Sequence, residues 1–246
     1  MSSQRRNWLI EEWGLRFVSA CVISVLFLSA CERRTGTPTT TTETRAANAQ
    51  SAPQSLSMGG AKSVTRFFVT SHGIGRGGDL GGLAGADARC QALAKAEGSG
   101  DHTWHAYLSA TATKTTPAVN ARDRIGKGPW YNAAGDRVAV DVGELHEGLS
   151  VTRDNAVTER GDPVNGDQTE VLTGSRPDGT AFSEADDRTC ANWTSSGVGH
   201  AQVGRIGPTG DATATRAWNS ARASRGCRQE DLQPTGGGLF YCFATD

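Results

Sequence analysis

Apolar and polar positions divide this chain of 246 residues into three stretches. Phe17 to Ala30 is apolar or small and carries no charge. A comfortable bilayer span takes roughly 20 apolar residues, so this run is too short to cross. Glu32 to about Lys62 is built of Thr, Ala, Ser, Pro and Gln with almost nothing apolar. That composition predicts a flexible tether, whose ends as a random coil lie roughly 30 Å apart. From about Ser63 to Asp246 apolar residues return in short clusters, one domain's worth of chain.

Within that domain "SVTRFFVTS" (63–71) is rich in β-branched and aromatic residues and predicts a strand. The glycine-rich loop "HGIGRGGDLGGLAG" follows. "ADARCQALAKAEG" (86–98) predicts a helix: Ala86, Cys90, Leu93 and Ala94 share one face, Asp87 suits the first turn and Gly98 the stop. "HAYLSA" (105–110) predicts a second strand, and "AVNARDRIG" (118–126) a short second helix ended by Gly126. "GPWYNAAGDRVAV" (128–140) places a turn at Ala134-Gly135-Asp136 before a strand. "EVLTGSRPDGTAFS" (170–183) is the clearest hairpin, with Glu170–Gly174 leading into a Pro177-Asp178-Gly179 turn. A polar, glycine-rich stretch then runs to Cys227, and "GLFYCFATD" closes the chain as a strand. There is no internal repeat and no heptad run.

The six cysteines depend on how the N-terminus is read. Arg5, Arg6 and Arg16 precede the apolar run and small residues close it, the layout of a secretory signal. Leu28-Ser29-Ala30-Cys31 resembles a bacterial lipobox. Residues 1–30 would then be a signal peptide, Cys31 the lipidated mature N-terminus and 31–62 the tether before a domain at 63–246. The alternative is ordinary cleavage nearby, with Cys31 a loose thiol. Arg5-Arg6-Asn7-Trp8-Leu9 also resembles a twin-arginine signal. Either route leads out of the cytoplasm, to a bacterial membrane's periplasmic side or the cell surface. Cys21 leaves with the signal, so Cys90, Cys190, Cys227 and Cys242 remain for an oxidising compartment. Four cysteines allow three pairings, and spacing does not choose among them. No two are spaced as CxxC, which argues against a metal. With 25 Lys and Arg against 26 Asp and Glu, the balance also argues against nucleic acid as partner.

The order of elements carries a resemblance. "LAGADARCQALAKAEGSGDHTWHAYLSA", "VLTGSRPDGTAF…CANWTSS" and "CRQEDLQPTGGGLFYCFATD" look like the opening, centre and closing strand of a C-type lectin-like domain, in the compact variant seen in endostatin. The chain also resembles bacterial lipoproteins with lectin-like domains. The resemblance covers about 64–246 and implies an α+β fold: a small mixed or antiparallel sheet, two short helices, long loops and two disulfides. It implies the nested pairing Cys90–Cys242 and Cys190–Cys227. The inner bridge would close a loop of about 37 residues, worth roughly 3–4 kcal/mol on the chain-entropy model.

Candidate chemistry is sparse. Gly73-Ile74-Gly75-Arg76-Gly77-Gly78 fits GxGxxG between a strand and a helix. It reads as a connector, because the predicted helix starts some eight residues too late and no second βαβ unit follows. His102 and His105 form HxxH beside Asp101, without a third metal ligand evident from spacing. The tripeptides that hold calcium in sugar-binding C-type lectins are absent: Gln233-Pro234-Thr235 lacks the acid and Trp218-Asn219-Ser220 lacks the Asp. Asp162, Asn165, Asp167 and Glu170 nevertheless cluster as hard oxygen donors that could hold Ca²⁺. No other cofactor is expected. Trp104, Trp130, Tyr131, Trp193 and Trp218 are available to stack on sugar; Trp130 and Trp193 read better as core, and Trp218 sits among polar neighbours.

These features point to a lipid-anchored, extracytoplasmic binding module for a glycan, a matrix polymer or a surface protein, and not to an enzyme. Its expected ligand surface is the Ser195–Gly226 stretch, with 141–170 beside it. His200, Arg205, Arg216, Trp218, Asn219 and Arg222 would supply an aromatic platform and charged donors there. The alternatives are an envelope hydrolase using His102, His105 or His146, or a purely structural envelope lipoprotein.

Overall fold

The computed structural model describes residues 62–147, 150–164, 166–207 and 217–246. Cys31, with the signal and tether readings, lies outside them, as do Asn165 and Arg216. The described part is mixed α+β.

The last strand organises the sheet. β8 (Leu239–Ala244) is buried along its whole length. Its sequence LFYCFA is apolar at every position, as a strand covered on both faces requires. β1 (Phe67–Val69) and β2 (Trp104–Ala106) both pair antiparallel with it. β5 (Glu170–Leu172) lies parallel to its N-terminal half, with Val171 opposite Leu239. β6 (Gln202–Arg205) then β7 (Arg222–Ala223) continue the sheet outward. β3 (Trp130–Tyr131) and β4 (Arg137–Ala139) form a separate hairpin.

Alternation along β8 sends Tyr241 and Phe243 to one face and Cys242 to the other. Tyr241 and Phe243 join Phe67, Tyr107, Trp130 and Trp218 in a continuous aromatic cluster. Burying each such side chain contributes about 1.5–3 kcal/mol. On the opposite face α1 (Gly82–Ala96) lays down Ala86, Cys90, Leu93 and Ala94, the stripe its periodicity predicts. Asp87 links α1 to its neighbours: its carboxylate accepts from the Ala106 N–H at 2.8 Å and from Arg124 at 2.6 Å.

Two bridges clamp this frame. Cys90–Cys242 ties α1 to β8 across 152 residues, and Cys190–Cys227 closes 37. On the chain-entropy model they contribute about 5 and about 4 kcal/mol. Two disulfides point to an extracytoplasmic compartment. No helix among the described residues is long and apolar enough to cross a membrane.

Several elements differ from the sequence reading. α1 starts at Gly82, four residues earlier than expected, because Gly81 adopts left-handed φ at 77° and turns the chain into the helix. The second helix shrinks to a 3₁₀ turn at Ala121–Asp123, while α2 forms at Val142–Glu147. The Pro177-Asp178-Gly179 turn exists, closed by Gly179 N–H to the Arg176 carbonyl at 2.9 Å. Ser175 and Ala181 form one antiparallel bridge across it, but the lead-in strand β5 pairs with β6 and β8 rather than with the return. The stretch read as irregular before Cys227 contains β6 and β7.

Cys190 to Trp193 form a left-handed turn, with φ between 51° and 66° at four non-glycine residues. That conformation costs roughly 1–2 kcal/mol per residue, so the surroundings must impose it. The inner disulfide holds Cys190. Trp193 is fully buried and donates Nε1–H to the Ser109 carbonyl at 2.7 Å. Asn192 exchanges hydrogen bonds with the Thr111 backbone in both directions. A short helix, α3 (Gln229–Leu232), precedes β8.

Candidate functional site

The expected aromatic platform is not on the surface. Trp218 is 1% exposed, packed against Tyr107 at 4.9 Å and Tyr241 at 5.4 Å between ring centroids. Tyr241 donates its hydroxyl hydrogen to the Trp218 carbonyl, which fixes the backbone as well. Asn219 is buried beside it and donates to the Tyr107 hydroxyl and the Arg176 and Pro177 carbonyls. Both are core residues, because the sheet's aromatic face needs a lid and this turn supplies it. Trp104, Trp130 and Trp193 are buried too, and Tyr131 is half-buried. His200 is half-buried. Arg205 and Arg222 turn to a carboxylate, that of Glu170.

That same pair engages one member of the expected calcium cluster. Glu170 has a side chain only 4% exposed, held by Arg222 at 2.7 Å and by Arg205 at 3.4 Å. A carboxylate so engaged is not a free metal donor. Asp162 and Asp167 are exposed, and Asp162 closes a local turn with Thr158. Among the described residues no group of three or more His, Cys, Asp or Glu could hold a metal ion.

Each of the three histidines of the hydrolase alternative has structural partners. His102 is buried, with Nε2 at 2.8 Å from the Ser63 carbonyl and Nδ1 at 3.3 Å from Asp246. His105 sets Nδ1 on the Arg124 carbonyl at 2.7 Å. His146 lines a depression of about 270 Å³ with Arg122, Pro177 and Asp178. Its Nδ1–H donates to the Val142 carbonyl at 2.8 Å, so Nε2 accepts from the Tyr107 hydroxyl at 2.7 Å. Burial pushes the His146 pKa below its ordinary value and the Tyr107 phenol above its own. Gly179 packs over this contact; a Cβ there would sit 2.3 Å from His146 Nε2. Asn219, Tyr107, His146 and the Val142 carbonyl form a linear chain of hydrogen bonds.

A roomier opening than the His146 depression lies where the glycine loop enters α1. It is a cavity of about 430 Å³ walled by His72, Ile74, Arg76, Leu80, Gly81 and Arg89, among others. The loop between Arg76 and Leu80 is tied to the inner disulfide. Gly78 N–H donates to the Cys227 carbonyl at 2.8 Å, and Gly77 N–H to Gln229 at 2.7 Å. Gly77 has φ of 59°, and a Cβ there would lie 2.1 Å from the Cys227 oxygen; one on Gly78 would lie 2.6 Å from Cys190 Sγ. Only glycine lets the loop approach this closely. Leu80 N–H donates to the Trp193 carbonyl at 2.9 Å, so the left-handed turn also supports the wall. On the other side Arg89 immediately precedes Cys90 and its bridge to β8. The sequence reading takes this stretch as a connector because it places the helix start four residues too late. The signal available was the pair Arg76 and Arg89 flanking the glycines. Compared with known proteins, the chain matches no family model, and no curated protein shows significant similarity to it.

Proposed function

We propose that this protein is a binding module of the C-type lectin-like, endostatin-like kind, anchored outside the cytoplasm through a lipid on Cys31. Its ligand is a glycan, a matrix polymer or a surface protein. One observation carries the reading: a preformed cavity of about 430 Å³ whose walls are tied to both disulfides. Small-ligand sites are typically concave, largely pre-formed and of about 300–1,000 Å³. Rigid walls reduce the ordering cost of binding. The lectin-like assignment is supported by the nested bridges and by a helix bearing the first cysteine packed on a strand bearing the last. The test is a glycan and matrix-polymer array probed with the full-length protein in detergent, run beside a panel of hydrolase substrates. Saturable retention on the array without turnover is expected. Turnover of a substrate with no retention on the array would replace this reading with the hydrolase.

A further inference from the structure

We propose that the cavity at the start of α1 is an anion-recognition site for a small acidic sugar, a ring bearing one carboxylate or one phosphate. The proposal rests on the reading of the chain as a binding module and names its ligand class.

The charge of the walls comes first. Arg76 and Arg89 both line the cavity. The acid beside them is Asp79, 3.6 Å from Arg76 Nε, and one of its oxygens already accepts the Gly81 N–H at 3.1 Å. The first turn of α1 carries no acidic residue and no side-chain cap, so Asp79 is the one acid at this end of the helix, against two arginines. The balance therefore favours an anion.

Arg89 is held in place. Its Nη2 contacts His72 Nε2 at 2.6 Å. Its Nε is buried with no partner among the described residues. A guanidinium only donates, so His72 Nε2 must be the acceptor and Nδ1 carries the hydrogen. Nδ1–H then donates to Ser71 Oγ at 2.9 Å, and the Ser71 hydroxyl donates to Glu159 at 2.6 Å. Glu159 is buried, and its second oxygen accepts the Ser71 N–H at 2.9 Å. A directed chain thus runs from Arg89 to a buried carboxylate and orients the guanidinium before any ligand arrives. The same chain argues against Ser71 as a nucleophile. With Nδ1 protonated, His72 cannot accept the serine's hydrogen.

The remaining walls suit a sugar ring. Ile74, half-buried over the core residue Leu80, offers an apolar surface to the C–H face of a pyranose. A planar guanidinium matches a carboxylate or phosphate with two parallel hydrogen bonds. A cavity of about 430 Å³ holds one such ring.

Isothermal titration of the full-length protein in detergent, at low salt, tests this with four probes: glucuronate, glucose-6-phosphate, glucose and inorganic phosphate. Saturable binding of glucuronate or glucose-6-phosphate is expected, with glucose at least tenfold weaker; which of the two binds identifies the anion. Arg76→Gln and Arg89→Gln should each weaken that binding at least tenfold. Arg76 has a side chain 57% exposed, so its variant should keep the wild-type melting temperature even if Arg89→Gln does not. Inorganic phosphate binding as tightly as glucose-6-phosphate would overturn the sugar assignment. No saturation by either acidic sugar, or affinities unchanged in Arg76→Gln, would overturn the site. Should the site fail while the array still retains the protein, the binding-module reading stands without it. A blank array would remove both.

Discussion

Arg222 grips Glu170 with two parallel hydrogen bonds, Nε to Oε1 at 2.8 Å and Nη2 to Oε2 at 2.7 Å. The pair reaches from β5 past β6 to β7, and Arg205 adds a longer contact from β6. It removes one residue from each of two expected sites, the polar loop and the calcium cluster. Removing one partner of a buried pair costs about 3–5 kcal/mol. Arg222 is itself partly exposed, so water can reach the orphaned carboxylate and reduce the loss. Arg222→Ala should therefore destabilise the domain by about 2–3 kcal/mol in urea unfolding. A loss under about 0.5 kcal/mol would show the pair to behave as a surface contact.

Trp218 should behave as core. Trp218→Ala removes a ring packed on Tyr107, His146 and Tyr241. The expected loss is about 3–5 kcal/mol, visible as a lowered melting temperature. Affinity for any array ligand should be unchanged at temperatures where the variant is folded. Lost affinity at unchanged stability would return Trp218 to the binding surface.

Part of this was legible from sequence and part was not. The buried stripe of α1, the closing strand and the Pro177–Gly179 turn have local signatures: 3.6-residue spacing, a continuous apolar run and turn residues. The position of Trp218 has none. Its sequence neighbours are polar, and its burial comes from Tyr107 and Tyr241, residues distant along the chain. β6 escaped notice for a similar reason. Gln202 and Gly204 break its apolar pattern, yet both are buried because β5 and β7 flank the strand. Arg76 and Arg89 were visible as letters, but only the early start of α1 at Gly82 brings them to one cavity.

His146 should make stability depend on pH. Burial is the main cause of its lowered pKa, and Arg122 acts in the same direction; the Val142 carbonyl, Asp178 and Asp123 oppose them. The unfolded chain, with an ordinary value of 6.5, therefore binds the proton more tightly than the folded one. The stability contributed by neutral His146 is present above 6.5 and is lost as pH falls from there through the folded value. Urea midpoints at pH 7.5 and pH 5.0 should fall further for wild type than for His146→Gln. Equal falls in the two proteins would assign the pH dependence to other groups.

The proposed anchor can be separated from the domain. Cys31→Ser should move the protein from the membrane fraction to the soluble one, with its melting temperature unchanged. Undiminished membrane retention would favour an uncleaved signal anchor instead.

The most direct measurement of the central claim is hydrogen exchange by mass spectrometry across the full-length protein, with and without 10 mM glucuronate or glucose-6-phosphate. Protection should rise in peptides covering His72 to Arg89, where the glycine loop and the first turns of α1 wall the cavity. Protection rising instead at Arg122 and Pro177–Asp178, or nowhere, would contradict it.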